Sequence, residues 1–204
     1  MAVRGGLAVA FGLVTVFWPR EQIGSPANLN VPVPTADAIL LGYLVLSGLL
    51  VLLQGLRTRG DTRMALLGQA VVVLPGLVFL LFADAPGELR AAIAVWALLH
   101  GLLELWIWRQ GRDERMSSDF LIVGAIHVLL AVILFAGTDM NALSVLGFTG
   151  AAAMIAGVLY LVGGYSRRSR TQGGAVADAD EDSATDAGRG SATGPGSAAE
   201  VDDA

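Results

Sequence analysis

Six long apolar runs, separated by short polar segments, constrain this chain more than any other feature of its sequence. They occupy residues 5–19, 38–56, 64–83, 91–108, 120–138 and 140–166. Only the fourth run contains an aspartate, glutamate, lysine or arginine, Glu104. A helix needs about 20 apolar residues to cross about 30 Å of hydrocarbon, so five runs are long enough and the first is short. The pattern predicts an all-α fold, a six-helix integral membrane bundle whose main partner is the lipid bilayer.

We expect spans at about residues 3–19, 37–56, 63–83, 89–109, 119–138 and 140–165, within a transmembrane domain of residues 1–166. Polar side chains suited to capping precede several of the runs. Thr35 or Asp37 is predicted to cap the second helix, and Asp139 or Asn141 the sixth. Gln54 and Gln69 lie near helix ends and are predicted to act as interfacial caps.

The first run has a second interpretation, a cleaved signal peptide. We favour a membrane span, because the run lacks a small-residue cleavage site before Arg20 and takes part in an internal repeat. Trp18 can lie at headgroup depth and the flanking arginines can extend to the interface, which relieves the short length.

Composition excludes several classes of function. The chain has 54% hydrophobic and 15% charged residues, a mean hydropathy of +0.64 and no cysteine. Soluble domains carry about a quarter charged residues, so a soluble globule is disfavoured. The sequence contains no nucleophile paired with a base, no metal-ligand spacing and no phosphate-binding loop. We therefore expect no enzyme activity, no cofactor, no bound metal and no nucleic-acid partner.

The arginines set the expected orientation. Ten of them lie at the amino terminus, in the second and fourth loops and just after the sixth run, whereas only Arg20 and Arg90 lie on the opposite side. Such an excess marks the cytoplasmic side of a membrane protein. The sequence thus predicts a multi-pass protein of a prokaryotic cell membrane with both termini in the cytoplasm.

The net charge of -5 divides unevenly along the chain. Residues 1–170 carry 12 arginines against 10 acidic residues, and residues 171–204 carry 1 against 8. The second segment has too little apolar surface to offset the entropy of ordering. Residues 167–204 are accordingly predicted to form a disordered cytoplasmic tail, basic and then acidic. The acidic part leaves open a basic cytoplasmic partner.

Glycines repeat at fixed spacing through the runs. Gly6, Gly68 and Gly124 anchor the odd-numbered helices, and Gly48, Gly101 and Gly157 anchor the even-numbered helices. The distance between anchors is 33 residues in the second and third pairs of helices and 42 in the first. This regularity predicts three helical hairpins, the first with an inserted loop. Small residues let membrane helices approach closely, within one chain or in a homo-oligomer.

The opening RGGLAVAFGLVTVFWP, the segment ILLGYLVLSGLL and the repeated hairpins resemble the HdeD-like family of small bacterial membrane proteins. The resemblance covers residues 4 to about 166. It implies a six-helix inner-membrane protein connected with acid resistance, and it brings no catalytic or ligand residues. The longer first loop and the acidic tail depart from the family pattern.

Three titratable side chains fall inside the predicted spans: His100 and Glu104 in the fourth and His127 in the fifth. Charged groups at this depth are costly and usually face a partner in the bundle. His100 and Glu104 lie one turn apart on one helix face, so the three groups form a candidate proton-responsive cluster. The alternative is structural: Glu104 extends to the interface near Arg109, and each neutral histidine bonds to a carbonyl or serine.

These features support two main functional hypotheses. The first is a non-enzymatic multi-pass protein of the HdeD-like type that serves acid or envelope stress tolerance. The second is a small proton-coupled transporter that uses His100, Glu104 and His127. The same-orientation hairpins differ from the inverted repeats common in secondary transporters. A third hypothesis is a scaffold that recruits its partner through the acidic tail.

Overall fold

The computed structural model of the chain describes residues 2–22, 29–110 and 117–165. Within these ranges the fold is helical, apart from one short pair of strands. The helices are α1 (Ala2–Phe17), α2 (Val33–Arg57), α3 (Asp61–Leu80), α4 (Pro86–Gln110), α5 (Ser117–Ala136) and α6 (Ala142–Tyr165). Met1–Gly164 form one compact unit. The predicted tail, residues 167–204, lies outside the described residues.

Four helices, α2, α3, α4 and α6, are long and apolar enough to cross a membrane. The apolar parts of α1 and α5 are shorter, Val3–Phe17 and Phe120–Ala136. Large apolar side chains are exposed on the outer faces of all six helices. Three phenylalanines belong to this outer surface, Phe17 77%, Phe79 55% and Phe135 51% exposed, and each lies eleven residues after one of the glycines Gly6, Gly68 and Gly124. The structure thus supports the all-α, membrane-compatible part of the prediction.

Proline chemistry explains where α1 ends and α2 begins. The helix α1 ends at Phe17 because Trp18 precedes Pro19, and the residue before a proline avoids helical backbone angles. The helix α2 begins at Val33 with a proline in its first turn, where a missing N–H is harmless. Its N-cap is Pro32, without a side-chain bond, so the prediction of a Thr35 or Asp37 cap was wrong.

The connection from α1 to α2 contains an antiparallel pair of two-residue strands, β1 (Glu21–Gln22) and β2 (Leu29–Asn30). At the other end of the chain, Asn141 caps α6: its Oδ1 accepts a hydrogen bond of 2.8 Å from the backbone N of Ser144. This residue is one of the two caps that the sequence offered for α6.

Glycines bring two pairs of helices into close contact in the same register. A Cβ on Gly101 of α4 would lie 2.8 Å from the carbonyl oxygen of Gly124 in α5. A Cβ on Gly157 of α6 would lie 2.8 Å from the carbonyl oxygen of Gly5 in α1. Gly5 therefore corresponds to Gly124 in these contacts, whereas the predicted anchor Gly6 has no heavy atom within 4 Å of its Cβ position.

The even-numbered helices turn equivalent faces towards the core. The residues immediately before their anchor glycines are buried, and so are those three positions after them. The first set is Ser47, His100 and Ala156, and the second is Val51, Glu104 and Tyr160. At the second set of positions the interior therefore receives polar side chains from α4 and α6 and an apolar one from α2.

Candidate functional site

The buried polar side chains include a connected group that we call the ionic cluster. Its members are Arg4, Gln69, His100, Glu104, His127 and Tyr160, contributed by α1, α3, α4, α5 and α6. Glu104 and Gln69 have no exposed surface, and even Arg4 is only 8% exposed. A buried charge is stable only when it is paired and hydrogen-bonded, so the contacts of these groups determine what the cluster can do.

Glu104 lies at the centre of the ionic cluster. Its Oε1 accepts a hydrogen bond of 2.6 Å from the Tyr160 hydroxyl and one of 3.2 Å from Arg4 Nη2. Its Oε2 lies 2.9 Å from Nδ1 of His127. Three helices besides α4 thus donate to one carboxylate, which satisfies both of its oxygens.

Arg4 is the cation of the cluster. Its Nη1 donates to Oε1 of Gln69 at 3.0 Å, and its Nη2 contacts His100 Nε2 at 2.9 Å as well as Glu104. The guanidinium carbon lies 4.7 Å from the centre of the Tyr160 ring, within the range of a cation–π contact. With Glu104 ionised, the two opposite charges cancel, so the site is neutral when both histidines are neutral.

These contacts fix the proton positions on His100. An arginine has only N–H donors and keeps its proton in proteins, so His100 Nε2 accepts the bond from Arg4. His100 is then neutral and carries its proton on Nδ1. That Nδ1 is buried and has no partner among the described residues.

His127 also carries its proton on Nδ1, but there the N–H has acceptors. Its Nδ1 lies 2.9 Å from a carboxylate oxygen of Glu104 and 3.0 Å from the carbonyl oxygen of Val123. Both neighbours only accept hydrogen bonds, so Nδ1 must donate. The two histidines of the cluster therefore have different roles, His100 as an acceptor for Arg4 and His127 as a donor to Glu104.

Two further buried N–H donors lie in or beside the cluster, on Gln69 and Trp96. Gln69 presents its oxygen to Arg4, which leaves its Nε2 without a partner among the described residues. Trp96 Nε1 is also buried and has no partner among the described residues. The Trp96 ring stacks on His100 at 5.5 Å and meets His127 edge-on at 5.6 Å, and Tyr43 of α2 packs against Trp96 at 6.3 Å. All six helices therefore contribute to the cluster or its aromatic neighbours.

The cluster lies towards the end of the bundle where α1 begins and α4 ends. Arg4 is two residues from the start of α1, and Glu104 is six residues from the end of α4. With a rise of about 1.5 Å per residue, these positions are about 3 Å and 9 Å from their helix ends. The arginine thus enters from its own helix end and extends to a carboxylate that lies deeper.

The structure brings together the three residues predicted from the sequence. His100, Glu104 and His127 offer ligand atoms that all lie within 4.8 Å of one another. Glu104 does not extend to the interface beside Arg109, because its side chain has no exposed surface. Proton responsiveness of the three groups stays a prediction.

Sequence reasoning missed the other three members of the cluster. Arg4 was assigned to the cytoplasmic arginines and Gln69 to an interfacial cap, and both are buried in the cluster. Tyr160 was not singled out, although the repeat contains the signal. Tyr160 and Glu104 each lie three residues after an anchor glycine, so the repeat places them at equivalent positions.

The two histidines and the carboxylate are also potential ligands for a divalent cation. Arg4 already donates to the lone pairs of His100 and Glu104 that a metal ion would use. A second cation beside the guanidinium would meet a like charge in a buried setting, which costs free energy. The donor set with Arg4 in position thus fits a guanidinium better than a metal ion.

Comparisons of the chain with protein-family models, with curated proteins and with solved structures give no match. The chemistry of the ionic cluster is therefore the basis on which a function can be proposed.

Proposed function

We propose that the chain is a non-enzymatic multi-pass membrane protein of the HdeD-like type, with six crossings and both termini in the cytoplasm. Four helices have the length and hydropathy of membrane spans. The exposed apolar surface of α1 and α5 supports the two shorter crossings, because burial in a bilayer would remove that surface from water. The arginine distribution supports the orientation.

The proposed bundle consists of three hairpins, α1 with α2, α3 with α4 and α5 with α6. The matching glycine contacts at the α4–α5 and α6–α1 interfaces support this repeat, since both join the end of one hairpin to the start of another. At the third such position Gly48 faces Val73 instead, with 3.3 Å between the Cβ position and Cγ1. The packing at the anchor glycine is therefore less close between α2 and α3 than at the other two interfaces.

The ionic cluster is proposed to make the protein responsive to acid. The observation that carries this proposal is the 2.9 Å contact between Arg4 Nη2 and His100 Nε2. A proton on Nε2 would place two N–H donors and two positive charges against each other, so acid and Arg4 compete for the same lone pair. Protonation of His100 would then break the contact between Arg4 and His100, leave Glu104 as the one partner of Arg4 on α4, and weaken the contact between α1 and α4.

Charged and titratable groups face His100 from several helices. Arg4 comes from α1, Glu104 from the next turn of α4 and His127 from α5, whose ring centre lies 4.9 Å from that of His100. Tyr160 of α6 reaches His100 indirectly, through Glu104 and Arg4. Tyr43 of α2 lies behind Trp96. From α3 the cluster receives the neutral amide of Gln69.

Trp96 provides an optical test of the acid response. A variant in which Trp18, Trp106 and Trp108 are changed to phenylalanine keeps Trp96 as the single tryptophan. Because its ring stacks on His100, we expect its emission to fall as the pH drops from about 7.5 to about 3.5. The range extends below that of exposed histidines, since a positive charge on a buried ring beside Arg4 is unfavourable. Tryptophan fluorescence in detergent micelles or liposomes measures this change.

The matched control is His100→Gln in the same single-tryptophan chain. Glutamine keeps an acceptor for Arg4 but cannot take up a proton, so the acid-induced change should disappear. His127→Asn keeps a donor towards Glu104 and should retain most of the change. Equal pH profiles of the chain with His100 and the His100→Gln chain would refute the proposed acid response.

A proton-flux assay separates this proposal from the alternative, a proton-coupled carrier. In liposomes with an imposed pH gradient we expect the intact protein to give no proton flux above that of protein-free vesicles, because the ion pair of Arg4 and Glu104 is closed by neighbours on all sides. A flux that Glu104→Gln abolishes would instead establish the carrier function.

A further inference from the structure

The surroundings of Arg4 have the composition of a binding site for a small organic cation. Three acceptors and one aromatic face converge on its guanidinium group. The acceptors are Gln69 Oε1 at 3.0 Å, His100 Nε2 at 2.9 Å and Glu104 Oε1 at 3.2 Å, and the aromatic face belongs to Tyr160 at 4.7 Å. The planar fork of a guanidinium group matches a carboxylate and stacks on an aromatic face. A site with both groups therefore selects guanidinium over ammonium.

The site is formed by helices other than the one that supplies the cation. Gln69 belongs to α3, His100 and Glu104 to α4, and Tyr160 to α6, whereas Arg4 enters from α1. Glu104 is held independently of Arg4 by the hydroxyl of Tyr160 and by His127, at 2.6 Å and 2.9 Å. These bonds would keep the carboxylate in place after removal of the arginine side chain.

We infer that this site is a recognition site for guanidinium-type cations and that Arg4 is its tethered occupant. The ligand class is a planar cation with N–H donors in one plane, such as guanidinium or methylguanidinium. Free ligand reaches the site when the start of α1 withdraws or when residue 4 is shortened. This inference does not depend on the acid response, because it concerns the acceptors and the aromatic face and not a protonation of His100.

Charge and shape both support this ligand class. Shortening of Arg4 leaves an ionised Glu104 buried with no cation, and a small cation restores neutrality. A divalent metal ion would overcompensate the single carboxylate. An ammonium ion would supply the charge but not the planar set of donors that reaches Gln69, His100 and Glu104 together.

The test is chemical rescue of the full chain carrying Arg4→Ala. Purified in detergent, this variant should be stabilised by guanidinium at about 1 to 10 mM, the affinity range expected for so small a ligand. At about ten times the dissociation constant, the unfolding temperature should rise by about 4 °C. The chain with Arg4 should need at least about tenfold more guanidinium for the same shift, because its own side chain has a high effective concentration at the site.

Three controls make the rescue specific. Urea has the shape of guanidinium without its charge, ammonium has the charge without the fork, and sodium chloride matches the ionic strength. None of them should stabilise the Arg4→Ala chain. The double variant Arg4→Ala with Glu104→Gln has lost the carboxylate and should no longer respond to guanidinium.

Arg4→Met is the second variant, for use if Arg4→Ala does not fold. Methionine replaces the apolar stem of the arginine and leaves Gln69, His100 and Glu104 without the cation that they bind. Guanidinium present during purification should raise the recovery of folded Arg4→Met protein relative to equal urea. The inference is overturned if guanidinium gives no more stabilisation than urea in the folded variant, or if the Glu104→Gln double variant responds equally. Failure of the tryptophan experiment would leave this test unaffected.

Discussion

Replacement of Arg4 with methionine is expected to lower the free energy of unfolding by about 3 to 5 kcal/mol, the usual loss when one partner of a buried ion pair is removed. The reason is the carboxylate of Glu104, which has no exposed surface and would lose its counter-ion. Glu104→Gln should also destabilise the protein, because it leaves the guanidinium of Arg4 buried without its counter-ion.

The double variant Arg4→Met with Glu104→Gln is the decisive comparison. It removes both charges together, so it should recover much of the stability that either single change loses. Reversible unfolding in detergent, measured by circular dichroism for all four chains, gives the coupling between the two residues. Additive losses would show that Arg4 and Glu104 do not act as a pair, and the functional proposals would lose their foundation.

Gly101→Ala is expected to destabilise the bundle by about 1 to 3 kcal/mol, although alanine is the better helix former. The added methyl would lie 2.8 Å from the carbonyl oxygen of Gly124 and 2.9 Å from the backbone N of Val128. Backbone atoms cannot relieve a close contact by a rotamer change, as a side chain can. The helices α4 and α5 must therefore move apart. Gly157→Ala should behave alike, because it meets the backbone of Gly5 and Val9 at 2.8 Å and 2.9 Å.

Gly42→Ala and Gly147→Ala are the matched controls for these substitutions. Both glycines lie inside helices, and neither has a heavy atom within 4 Å of its Cβ position. Alanine there should be neutral or stabilising by about 0.5 to 1 kcal/mol, through helix propensity alone. Thermal unfolding of the four variants compares the two classes. Equal behaviour of Gly101→Ala and Gly42→Ala would contradict the close packing of α4 and α5.

The helices were predictable from sequence because length and hydropathy are local properties of a segment. The six apolar runs correspond to the six helices. Where prolines flank a helix, backbone restrictions decide a boundary more sharply than hydropathy does. Pro32 and Pro34 are an instance: they begin α2 four residues before the predicted boundary at residue 37.

Only three of the six residues of the ionic cluster were predicted from the sequence, and the reason is physical. Helical spacing relates His100 to Glu104, but nothing in one sequence relates them to Arg4, which is 100 residues from Glu104. An arginine at the start of an apolar helix is usually a flanking charge, and its burial depends on the packing of five other helices. Tyr160 was easier to predict, because the glycine repeat assigns it to the position equivalent to Glu104.

The close contact between α1 and α6 has a consequence for the order of assembly. During synthesis α1 is made first, yet Gly5 needs Gly157 and Arg4 needs Glu104 and Tyr160. The contacts of α1 therefore form only after α4 and α6 have been translated. A chain that stops before α4 would lack the carboxylate that neutralises Arg4, and one that stops before α6 would lack the glycine against which α1 packs.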